Sequence, residues 1–99
     1  MADYRAHLRL RLIESDVPVS LHAGLIEYFA ARRPTGSFLR SVLENDLSQA
    51  CARADDINRW HLVEVVTFLH GSCPGTAWGS PEKVTAWLED TAPVPEIFE

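Results

Sequence analysis

Ninety-nine residues suffice for one domain, and an apolar share of 46% gives that domain a core without a metal or a disulfide. A net charge of −5 argues against non-specific binding to nucleic acid, which draws on clustered lysine and arginine. No run approaches the ~18 apolar residues of a membrane span, and the opening MADYRAHLRLRL has arginines where a secretion signal needs an apolar stretch.

The charge is uneven along the chain. Arg5, Arg9, Arg11, Arg32, Arg33 and Arg40 lie early, whereas Glu82, Glu89, Asp90, Glu96 and Glu99 crowd the end against Lys83 alone. Such polarity suits oriented self-association or partner binding. Cys51 and Cys73 are too few for a secreted disulfide scaffold, so a cytoplasmic setting with both thiols reduced and buried is expected.

In chain order, residues 4–13 carry two competing patterns. Tyr4, Ala6, Leu8, Leu10 and Leu12 alternate with Arg5, His7, Arg9 and Arg11, which is strand periodicity. The Ala, Leu and Arg content, and the spacing of Leu8 and Leu12, favour a helix, and helix is preferred. As a strand, the segment would have no partner here and would offer an edge to another chain.

Pro18–Arg33 reads as a helix with Leu21, Leu25, Tyr28 and Phe29 on its apolar side and Gly24 opposite. Ser37–Arg53 reads as a second helix, with a stripe of Phe38, Leu39, Val42, Leu43, Leu47 and Ala50. The third, Asp56–His70, starts at the capping pair Asp55 and Asp56 and is apolar nearly all round, which predicts a central position. The fourth, Pro81–Glu89, has Ser80 as N-cap and Pro81 in its first turn. The tail after Asp90, with two prolines, is expected to be extended. The fold class expected is all-α: a compact bundle of four to five short helices, with the third most central. The core would span about residues 18–90, leaving segments 1–15 and 91–99 peripheral.

Several polar residues fall on apolar arcs. With the second helix continuous, Asp46 lies between Leu39, Val42, Leu43 and Ala50, and Arg53 shares its side. Asn58 and His61 lie on the main arc of the third helix, and His22 on that of the first. Such groups either form a buried network that sets helix packing or, where they converge, a ligand-binding cluster. Asp46, Arg53, Asn58 and His61 are the ligand candidates. The opposite anomaly is Trp60 and Val63, which share the polar arc with Glu64 and Thr67. They are either an exposed anchor for a partner or are covered by a terminal segment.

Catalytic and metal motifs are weak. His70 and Cys73 give H-x-x-C, and Cys51 and His61 are further possible ligands, but no paired spacing of the kind zinc requires is present. The serines lack a G-x-S-x-G context, and the cysteines lack an activating neighbour. The loop Gly71-Ser72-Cys73-Pro74-Gly75 lacks the Gly-Lys-Ser/Thr of a phosphate-binding loop. Glu44 and Asp46 are two apart on a helix and do not face each other. No enzyme activity, metal or cofactor is expected.

Two segments, PTGSFLRSVLENDLSQACARADDINR (34–59) and AWGSPEKVTAWLED (77–90), resemble a family of short bacteriophage and prophage proteins. The similarity runs over about residues 18–90. Its motif positions fall on Phe38, Leu43, Glu44, Asn45, Asp46, Leu47, Arg53, Asp55, Asn58, Trp78, Gly79, Ser80 and Pro81. The resemblance implies phage origin and a compact helical domain, with no assigned activity. The expectation is a non-enzymatic protein that binds a host or phage protein through Trp60, Val63, Glu64 and Thr67, and so modulates host defence. The alternative is an oligomer that binds or sequesters a nucleotide-like small molecule. Direct DNA binding is disfavoured.

Overall fold

Proline and glycine punctuate the helices as expected, but two further breaks, at 44–46 and at His61, carry neither residue. The structure is a computed structural model and describes residues 4–94. Among these there are seven α-helices and no strand: α1 (Tyr4–Ile13), α2 (His22–Ala31), α3 (Ser37–Leu43), α4 (Leu47–Arg53), α5 (Asp56–Trp60), α6 (Leu62–Ser72) and α7 (Pro81–Glu89). A 3₁₀ turn, Val19–Leu21, leads into α2. The all-α class stands. The helix count exceeds four to five because the expected second and third helices are each divided.

Residues 4–13 are helical. Tyr4, Leu8 and Leu12, each four apart, point to one side and are buried. Helical spacing therefore outweighs the alternation of apolar and basic residues. These side chains belong to the core, so the N-terminal segment is not peripheral. The extended tail expected after Asp90 lies only partly within the described residues: 90–94 are non-helical, and 95–99 are outside them.

The centre belongs to α2, not to the expected third helix. Leu25, Tyr28 and Phe29 are fully buried. The Tyr28 hydroxyl donates to the Ala77 carbonyl at 2.5 Å, and the Trp87 indole N–H donates to the Tyr28 carbonyl at 2.7 Å. Arg32 ends α2 in left-handed backbone, φ 55°, and its guanidinium lies 3.8 Å over the Trp87 ring. It also donates to the carbonyls of Trp87 and Ala92 at 3.2 and 3.1 Å. These ties dock α7 across α2. Gly24, opposite the main apolar side of α2, serves close packing: an added Cβ would lie 3.1 Å from Leu39 Cδ1, so the glycine lets α2 and α3 approach.

The break at 44–46 has a local cause. Asn45 adopts left-handed backbone, φ 62°, the conformation Asn tolerates best after Gly. The Asp46 N–H donates back to Ser41 and the Asn45 N–H to Val42, a helix-ending pattern. The Leu43 carbonyl accepts from Gly79 N–H at 2.7 Å, which joins the end of α3 to the loop before α7. Asp46 then caps α4 by accepting from the Gln49 N–H. At His61 the break is milder, since its carbonyl still accepts from Val65 N–H at 3.0 Å.

Candidate protein-contact surface

Ile57, Trp60 and Val63 project from the α5–α6 corner at steps of three residues. Their exposures are 61%, 82% and 75%. Trp60 and Val63 are thus the exposed alternative of the two considered, and no described terminal residue covers them. On a third helix running unbroken from Asp56 to His70, Ile57 would fall on the same apolar arc as Asn58 and His61. The kink at His61 changes the phase of the helix, so Ile57 joins the outer face instead.

Val63, Glu64 and Thr67 also form one wall of an open groove of about 430 Å³. Phe68 contributes apolar surface, and Arg11, Glu14 and Asp16 border the other side. The Arg11 Nε donates to Ser72 Oγ at 3.2 Å and ties α1 to the end of α6. Glu64 turns one buried carboxylate oxygen inward with no hydrogen-bond partner. The groove pairs an apolar strip with carboxylates, next to an exposed aromatic anchor. The α1 wall was not foreseen, because its polar residues looked like an ordinary solvated face.

The four ligand candidates are placed differently. Asp46 is exposed and its carboxylate caps α4. Arg53 is exposed in the last turn of α4. Asn58 is buried, as its arc implied; its backbone N–H donates to Asp55 at 2.7 Å, and its side-chain oxygen has no partner. His61 Nδ1 lies 2.8 Å from the Ile57 carbonyl of its own helix turn. The cleft that Asp46 borders with Ala50 and Leu62 includes none of the other three and holds about 40 Å³. That is room for a few waters at most, well short of the ~300 Å³ of a typical ligand pocket. Asp46 was misplaced because the helical wheel assumed a single phase from 37 to 53. His22 bonds the Val17 carbonyl through Nε2 at 2.9 Å, a local brace at the start of α2.

Cys73 is partly buried, and desolvation pushes its thiol pKa well up, away from the reactive thiolate. Cys51 is exposed. Among the described residues, no group of three or more His, Cys, Asp or Glu is arranged to hold a metal. No described helix is long and apolar enough to cross a membrane. No family model, curated protein or solved structure matches the chain.

Proposed function

We propose that this chain is a non-enzymatic interaction protein of a phage or prophage, which binds a host or phage protein through the Ile57–Trp60–Val63 face and the adjoining groove. The observation that carries the reading is the 82% exposure of Trp60 beside two exposed aliphatic side chains. Tryptophan is the side chain most enriched among residues that dominate binding energy, and an apolar cluster this concentrated is seldom left on a surface without use. Glu64 and Thr67 supply polar contacts at the edge. The resemblance of segments 34–59 and 77–90 to phage proteins supports the setting, and modulation of host defence is the role proposed there.

The experiment is an affinity capture from bacterial lysate, read by mass spectrometry, with the wild type and a Trp60→Ala, Val63→Ala double variant. The wild type is expected to retain a discrete protein that the variant loses by ~30-fold or more in affinity, since a central tryptophan contributes ~2 kcal/mol or more. Identical recovery by both proteins rules out this face.

A further inference from the structure

Arg11 and Lys83 differ from the ion-paired cations of the chain. Arg5, Arg32, Arg33, Arg40 and Arg59 each lie within ion-pair distance of a carboxylate. Arg11 and Lys83 are instead held by neutral acceptors at the end of α6 and in the loop that follows it. Arg11 Nε donates to Ser72 Oγ at 3.2 Å, and Lys83 Nζ donates to the Gly75 carbonyl at 2.9 Å. Each is thereby oriented with donors left over: the two terminal guanidinium nitrogens and the other ammonium protons.

The same segment separates two open hollows. One, of about 390 Å³, is bordered by His7, Arg11, His70 and residues 71–75. The other, of about 250 Å³, is bordered by Asn45, His70, Trp78, Gly79 and Lys83. They adjoin along His70 and Gly75, and among the described residues no carboxylate borders either. In a chain of net charge −5 this is a local reversal of sign. The His70 ring is set edge-on against Trp78, with centroids 4.9 Å apart, which fixes it at the junction.

We propose that the segment Gly71–Gly75, the end of α6 and the loop after it, carries a binding site for a small polyanion of the phosphate class, with Arg11 and Lys83 holding separate anionic groups at its two ends. His7, His70 and the Asn45 amide offer donors between them. Arg supplies a planar fork to phosphate oxygens and Lys a compact point charge, the two usual modes of phosphate recognition. The hollows are of small-molecule size, and the net negative charge of the chain opposes a long polyanion such as nucleic acid. Arg11 also borders the groove of the protein-contact face, which Glu14, Asp16 and Glu64 line as well. Lys83 borders no such carboxylate-lined surface and isolates the anion site. The site does not depend on the protein-contact reading.

The test is a titration of inorganic pyrophosphate into ¹⁵N-labelled protein at low salt, followed by amide NMR. Saturable movement of the Ser72, Gly75 and Lys83 amide signals is expected, weakened several-fold at ~0.15 M salt. Lys83→Glu and Arg11→Gln are each expected to weaken binding roughly tenfold, while the signals of Leu25 and Phe29 stay in place. Arg53→Glu, a charge reversal elsewhere, and Trp60→Ala should leave the affinity within about twofold of wild type. The proposal is overturned by an absence of saturable shifts in the wild type, which needs no variant to fold. It is equally overturned if Arg53→Glu weakens binding as much as Lys83→Glu, the mark of diffuse attraction, or if a single-stranded oligonucleotide displaces pyrophosphate at lower concentration.

Discussion

At the scale of single residues, Arg32 shows how one side chain can hold an unfavourable backbone. Its left-handed conformation is one that glycine adopts without strain, yet the guanidinium stacks on Trp87 and satisfies two carbonyls at the far end of α7. Arg32→Ala keeps the strain and loses the ties; a destabilisation of ~1–3 kcal/mol is expected in urea unfolding. Arg32→Gly removes the strain as well, so it should be the milder of the two. The thiols make a second test. Cys51 is exposed and should react with a thiol reagent in the folded protein faster than Cys73, which is partly buried and whose thiol pKa is pushed up by its surroundings. Glu27 gives a third. A hydrogen bond from Arg5, with the charges of Arg5 and Arg33, holds its carboxyl below the ordinary value of 4.5. Its stabilising contribution is present above that pH and is lost as the pH falls through the lower folded value. Glu27→Gln should therefore be less stable than wild type at neutral pH, and the two stability curves should converge below pH 4.5.

At the scale of helices, local chemistry that names its own position was legible and local chemistry hidden under a continuing apolar stripe was not. Ser80-Pro81-Glu82 marks the start of α7, and the Ser80 side chain does accept from the Lys83 N–H. The α3–α4 break was missed because Leu43, Leu47 and Ala50 keep helical spacing across it, so periodicity registers no turn. Only Asn45, which tolerates positive φ, and Asp46, which caps well, hinted at it. Asn45→Gly should be close to neutral, whereas Asn45→Val should cost about 1–2 kcal/mol in denaturant unfolding, because a β-branched residue resists left-handed backbone. The same broken phase explains the candidate sites. Trp60 and Val63 were assigned to the polar arc, with exposure and coverage both left open, and they keep that arc because they lie next to His61, where a change of phase matters least. Asp46 was placed inside by a wheel that ran unbroken through it. The hollows beside the Gly71–Gly75 segment were invisible, since they join residues from 7 to 83 that no spacing relates.

At the scale of the molecule, the Cα radius of gyration is 12.6 Å and the extents are 38 × 29 × 18 Å. The short dimension is less than two helix diameters of ~10 Å, so the fold is a flat packing with broad faces. A flat shape raises the chance that an exposed corner such as Trp60 meets a second copy of the chain. The expected result by sedimentation is nevertheless an 11.1 kDa monomer across the micromolar range, unchanged by Trp60→Ala and Val63→Ala. A concentration-dependent dimer that the double variant abolishes would make a second copy, rather than a host or phage protein, the occupant of that face.

The ties of Tyr28 bear on how the protein is made. This residue sits in the first third of the chain, yet its hydroxyl is satisfied by Ala77 and its carbonyl bonds the indole of Trp87. On a ribosome, α1 and α2 emerge early and can collapse together, but their centre stays open to water until the segment carrying Ala77 and Trp87 has also emerged. Closing loops that long is slow compared with forming any one helix. The nascent chain therefore passes through an interval in which Tyr28 and Phe29 are exposed, and chaperones that bind aromatic segments should act on it then.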